Sequence, residues 1–116
     1  MKCSHKRENS GIVIQFHGEL GHHEAAQCVE YLEKTMTLYA TDPIILDLSG
    51  LTFMDSSGIA VVLSAQRNIL GVGQTFCVVG TPPTAMRIFK ASGITSRVKF
   101  LPEMLQWKEE EVCTAK

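Results

Sequence analysis

The chain's 116 residues fit one hydrophobic core and leave no room for a second domain. With 45% hydrophobic and 20% charged residues it has the balance of an ordinary soluble globular protein, and 11 Lys and Arg against 12 Asp and Glu give a formal net charge of -1. The basic residues are scattered singly or in pairs, so no phosphate-neutralising patch forms and direct nucleic-acid binding is not expected.

The N-terminal Met1-Lys2-Cys3-Ser4-His5-Lys6-Arg7-Glu8 begins basic but leads into no apolar segment, so it does not read as a secretory signal. Residues 3–8 are placed as the hairpin partner of Ile12-Val13-Ile14-Gln15-Phe16, a β-branched strand bounded by Gly11 and Gly18. Ala25, Val29, Leu32, Met36 and Tyr39 recur at intervals of three and four and predict a helix over about 23–39. Asp42-Pro43 stops it. The continuous apolar run Ile44-Ile45-Leu46-Asp47-Leu48 then predicts a strand covered on both faces, as in a parallel sheet.

A second helix is expected over about 56–70, with Ile59, Val62, Leu63, Ile69 and Leu70 inward and Gly71 as its C-cap. Thr75-Phe76-Cys77-Val78-Val79 is a third parallel-type strand. Thr81 and Pro82 supply an N-cap and first-turn proline for a third helix, which Ser92-Gly93 closes. Val98-Lys99-Phe100 is a last strand, and Pro102 opens a final helix carrying Met104, Leu105 and Val112, with Trp107 partly exposed and Glu109-Glu110-Glu111 a solvated end. The order βαβαβαβα predicts an α/β fold: a mostly parallel sheet with alternating helices, right-handed crossovers and an N-terminal antiparallel edge strand.

No apolar stretch approaches the ~20 residues needed to cross a bilayer, so no membrane association is expected. Cys3, Cys28, Cys77 and Cys113 form no close pair in sequence, which predicts reduced thiols, no metal and a cytoplasmic setting. The adjacent His22 and His23 would diverge by about 100° on a helix and so do not suit one metal ion.

Chemistry concentrates in Leu51-Thr52-Phe53-Met54-Asp55-Ser56-Ser57-Gly58, between a buried strand and an amphipathic helix, where parallel α/β folds place their sites. Asp55 or Ser56 can cap the helix and leave Ser57 in its first turn, where unpaired N–H groups and the helix dipole favour an anion such as phosphate. Capping alone is the simpler local explanation of Asp-Ser-Ser, and Gly58 can serve only close helix packing. A hydrolase nucleophile elbow is excluded, since no G-x-S-x-G occurs and all four histidines precede Ser57. No P-loop string is present, Gly71-Val72-Gly73 lacks the dinucleotide pattern, and the first strand lacks the acidic pair of a phospho-aspartate receiver.

Phe53-Met54-Asp55-Ser56-Ser57-Gly58-Ile59, with Ile45-Leu46-Asp47-Leu48, Gly18-Glu19-Leu20, Val79-Gly80 and Ile88-Phe89-Lys90-Ala91-Ser92-Gly93-Ile94, resembles the sulfate transporter and anti-sigma factor antagonist (STAS) domain family over nearly the whole chain. Gly18-Glu19-Leu20-Gly21-His22-His23 is most similar to its sporulation branch, the stage II antagonists of a forespore anti-sigma factor. The resemblance implies one STAS-like domain over residues 1–116, its core about 11–112. It implies that Ser57 accepts phosphate from an anti-sigma factor that is also a serine kinase. The unphosphorylated chain would bind that partner and indirectly free a sigma factor, and a metal-dependent serine phosphatase would reset the switch.

The chain would then be a substrate and binding protein, with no catalytic residue or cofactor of its own. Its partner-binding residues would be Asp55, Ser56, Gly58, Gly21, His22 and Thr81. Gly21 departs from the sporulation-type proteins, which carry an acid there. The competing expectation is a sensory or scaffold module that binds a small ligand through the same fold, with Ser57 only capping.

Overall fold

The computed structural model describes residues 1–9, 11–69 and 74–102. Strand β1, Lys2–Glu8, and β2, Gly11–Leu20, form an antiparallel hairpin from Lys2 opposite His17 to Glu8 opposite Gly11. Asn9 in the turn takes φ 54°, the left-handed value that hairpin turns draw from asparagine. Helix α1, Ala25–Leu38, β3, Ile44–Met54, α2, Ser57–Arg67, β4, Phe76–Val79, α3, Pro83–Ser92, a 3-10 turn, Ile94–Ser96, and β5, Lys99–Leu101, follow. The five strands lie in sequence order in one sheet, with the β2–β3, β3–β4 and β4–β5 pairings all parallel. The predicted edge hairpin and mostly parallel α/β sheet are therefore both present.

Strand alternation divides the sheet's two faces. Ile12, Ile14 and Phe16, with Leu46, Leu48 and Val78, enter the main core beneath α1, α2 and α3, where Leu32, Met36, Val62 and Phe89 are fully buried. Val13, Ile45, Cys77 and Val79 form a smaller cluster, against which Leu101 packs. Burial on both faces accounts for the unbroken apolar run in β3.

Several boundaries depart from expectation. Both β2 and β3 run further than predicted, because residues beyond Phe16 and Leu48 go on pairing: Gly18 with Leu51, Glu19 with Phe53, Leu20 with Met54. Register shifts at Gln15/His17 and Gly18/Glu19, with Gly18 at φ 111°, let this extension bend away from the regular ladder. Ser49 to Met54, assigned to no element from the sequence, is thus the second half of β3. Helix α1 begins at Ala25 and not at His23, since Gly21 O accepts from the N–H groups of Glu24 and Ala25, both at 3.1 Å, and forms a separate turn.

In α2 the buried residues are Gly58, Val61, Val62 and Ala65, whereas Ile59, Leu63 and Ile69 are half-buried. The helix turns its small residues to the sheet for close approach, and of the expected inward stripe Val62 is fully buried while Ile59, Leu63 and Ile69 pack against the core from its margin. At α3 the N-cap is Pro82, with extended ψ of 151°, and Pro83 is the first helical residue. Thr81 therefore lies one position too early to cap, correcting the expected N-cap. Gly93 closes α3 in the left-handed region at φ 82° as expected. Leu70, Gly71 and the final helix with Met104, Leu105, Trp107 and Val112 lie outside the described residues. No described helix is long and apolar enough to cross a membrane.

Candidate functional site

The long parallel pairing of β2 with β3 brings their C-terminal ends together and sets two loops side by side: Gly21 to His23 before α1, and Asp55 to Ser56 before α2. The Asp55 N–H donates to Leu20 O at 3.3 Å, extending the ladder to the edge of the second loop. Asp55 then uses both carboxylate oxygens. Oδ1 accepts from the Ser57 N–H at 2.8 Å, and Oδ2 accepts from the His22 N–H across the gap at 3.2 Å. One carboxylate therefore caps α2 and anchors the turn leading into α1.

Of the two residues expected to cap, Asp55 does so and Ser56 does not; Ser56 is already helical at φ -62°, ψ -14°, and its side chain caps nothing. The Ser57 N–H, its hydroxyl and the His22 N–H together hold the Asp55 carboxyl below its usual range, the Ser57 N–H most strongly, against an opposing desolvation. Asp55 is thus a carboxylate at neutral pH.

Ser57 is the first residue of α2 and half-buried. The expected unpaired N–H groups around it are in use. Besides the Ser57 N–H on Asp55, the Gly58 N–H donates to Asp55 O and the Ile59 N–H to Ser56 O, each at 3.1 Å. Asp55 already supplies the anion that the helix dipole favours. An open phosphate cradle at this helix start is therefore corrected to an occupied one, with the Ser57 side chain attached to it.

Gly58 is buried against Met54. A Cβ on Gly58 would come within 2.7 Å of Met54 Cγ and 3.1 Å of its Cε, so with Met54 in this position glycine is what lets α2 start so close to the end of β3. Gly21 is buried between the loops, and its N–H donates to Glu24 Oε1 at 3.0 Å. Its missing side chain would have pointed among Glu24 Oε1, Asp55 Oδ2 and Phe53 Cε2, at 3.2, 3.4 and 3.7 Å. His22 and His23 are exposed in the turn, their rings edge to face at 5.7 Å, so the helical divergence expected of them does not apply. Among the described residues no cluster of three or more His, Cys, Asp or Glu is placed to hold a metal ion.

Of the residues singled out in the sequence, the structure brings Gly21, His22, Asp55, Ser56, Ser57 and Gly58 together. Thr81 belongs to a different loop, after β4, whose last pair sets Val79 beside Asp47, well short of Met54. It lines a cavity of about 450 Å³ with Met86, Arg87 and Phe100, and its hydroxyl is buried with no hydrogen-bond partner among the described residues. Two residues of the site went unread. Glu24 stands three residues after Gly21, the spacing of a capping box, but without the Ser or Thr that signals one. Phe53 was read only within the segment that joins strand to helix, whereas it lies in β3 and is 51% exposed.

The STAS domain family model matches residues 4–104. The anti-sigma F factor antagonist of Lysinibacillus sphaericus is 34% identical over 83 residues, which cover 72% of this chain and 71% of that protein. The phosphorylated form of the Bacillus cell fate determinant SpoIIAA superposes with a TM-score of 0.65 at 26% identity, covering 99% of this chain and 100% of that one. The unphosphorylated form of SpoIIAA, an anti-sigma factor antagonist, shares the fold with a TM-score of 0.71 at 23% identity, over 95% of this chain and 96% of that one. This chain belongs to the STAS domain family, on the branch of the anti-sigma factor antagonists.

Proposed function

We propose that this chain is an anti-sigma factor antagonist controlled by phosphorylation of Ser57. Unphosphorylated, it binds an anti-sigma factor that is also a serine kinase, and so frees a sigma factor. Phosphate on Ser57 ends that binding, and a serine phosphatase restores it. The observation that carries the reading is the Asp55 bridge, which fixes Ser57 and the His22 turn on one rigid surface. His22, Asp55 and Ser56 form the surface around Ser57, the buried Gly21 and Gly58 shape the loops that carry it, and Thr81 is an outlying contact.

Phosphorylation adds about 1.5 to 2 negative charges. On Ser57 they would stand beside an ionised Asp55 and in the middle of the contact, where burying an uncompensated charge costs about 3 kcal/mol. The chain itself supplies no catalytic group; the reacting hydroxyl is its own.

Incubation with the host's anti-sigma factor and ATP should make the protein heavier by one phosphate that maps to Ser57 and is absent from Ser57→Ala. Ser57→Asp should bind the anti-sigma factor about 100-fold more weakly, the equivalent of that charge penalty. Phosphate found only at other residues, together with normal binding by Ser57→Asp, would refute the reading. A small-ligand module is favoured only by the cavity beside Thr81, and calorimetric binding of a small molecule there would be its test.

A further inference from the structure

We infer that Phe53 is the apolar anchor of the surface that meets the anti-sigma factor, inserting into an aliphatic or aromatic recess that the partner rims with Lys or Arg. The inference rests on the function proposed above and adds a contact residue and the chemistry of the face opposite it. Phe53 and Leu38 are the large hydrophobic residues left exposed among those described, at 51% and 70%. Leu38 ends α1, whereas Phe53 lies two residues before the Asp55 bridge.

The uncovered ring has a specific cause. Phe53 pairs with Glu19 across the parallel β2–β3 ladder, so the two side chains share a face. On its other flank is Gly21, where a Cβ would lie 3.7 Å from Phe53 Cε2, in van der Waals contact. Any other residue at position 21 would cover part of the ring. Glycine at position 21 therefore leaves the apolar ring uncovered on this flank.

The charge of the surroundings fixes the partner's rim. Residues 17–24 and 49–60 contain Glu19, Glu24 and Asp55, with His17, His22 and His23 and no Lys or Arg; the fixed cations lie beyond them, at Lys2 opposite His17 on β1 and at the Met1 amino group beside Gly18. A complementary surface is basic around an apolar centre. Aromatic side chains at the middle of such a contact, sealed by a polar rim, carry a disproportionate share of affinity.

The test is titration calorimetry of the full chain into the host's purified anti-sigma factor, comparing wild type with Phe53→Ala, Phe53→Leu and the neighbouring Thr52→Ala. Because Phe53 is half in water, the variants should melt close to wild type. Phe53→Ala should weaken binding about 30-fold, Phe53→Leu should lose less, and Thr52→Ala should stay within about twofold. Phe53→Ala within about twofold of wild type overturns the anchor while leaving the proposed function standing. Equal losses from Thr52→Ala and Phe53→Ala also overturn it, since they would report a general effect on the strand. Absence of binding by the wild type itself would overturn the proposed function, and the anchor with it.

Discussion

Gly58 offers the sharpest test of how the site is built. In Gly58→Ala the new methyl would fall within 2.7 Å of Met54 Cγ and closer still to its sulfur. Carbon atoms in good contact stand about 3.5 to 4.0 Å apart, so the overlap is about 1 Å. Met54 is buried at the end of β3 and cannot swing into water, so either its side chain takes a poorer rotamer or α2 lifts from the sheet. Overpacking of this kind costs about 1 to 3 kcal/mol, against about 1 kcal/mol gained by replacing glycine with alanine in a helix. The net loss should be about 1 kcal/mol, or ~4 °C in Tm for a chain of this size. Urea unfolding of Gly58→Ala, Met54→Ala and the double variant separates the two contributions. With Met54 shortened the methyl has room, so Gly58→Ala should there stabilise by up to about 1 kcal/mol, giving a coupling of about 2 kcal/mol. If Gly58→Ala costs the same in both backgrounds, contact with Met54 is not what requires the glycine.

The Asp55 carboxyl is held below its usual range chiefly by the Ser57 N–H. Its contribution to stability is therefore complete above the unfolded value of about 3.9 and is lost as pH falls through the lower folded value. Urea midpoints measured from about pH 6 down to about pH 2 should show this loss in wild type and not in Asp55→Asn; parallel curves would refute the assignment. Gly21→Asp, which introduces an acid at that position, should crowd Glu24 Oε1 and Asp55 Oδ2, displace Glu24 from the Gly21 N–H and lower Tm by a few degrees at neutral pH. Protonation at acid pH should relieve part of that loss, and a Tm deficit that does not change with pH would show that crowding alone is responsible.

Legibility in the sequence followed the range of the interaction. Local signals succeeded: the β-branched run at Ile12 to Phe16, the helical spacing of Leu32 and Met36, and Gly93 as a left-handed cap are all decided within a few residues. Failures came where a distant partner decides. Ser49 to Met54 carries no strand signal of its own until β2 pairs with it, and Phe53 has no side of a sheet until that pairing gives it one. The inner face of α2 was read only in part: Val62, Ile59 and Leu63 do meet the core, but Gly58 and Ala65 carry too little apolar surface to register as a stripe, although their smallness is what lets the helix pack. Cys3 and Cys28, far apart in sequence, share a side-chain hydrogen bond once β1 and α1 are in place, and burial pushes the Cys28 thiol up to about 12.

Asp55 changes how a serine at this helix start should be understood. A serine hydroxyl among free N–H groups would pass into a ready anion site when phosphorylated, and the rest of the molecule would be undisturbed. Here the N–H groups of Ser57, Gly58 and Ile59 are already bonded, that of Ser57 to the Asp55 carboxylate and that of Gly58 to the Asp55 carbonyl, and the carboxylate also accepts from His22 in the neighbouring loop. On the proposed function, phosphate would have to compete with Asp55 for donors while repelling its charge. The carboxylate that yields at Ser57 also holds His22, so strain at one loop passes directly to the other. On that reading the serine and the turn before α1 would respond as one unit, and a single phosphate would alter both halves of the surface through one side chain.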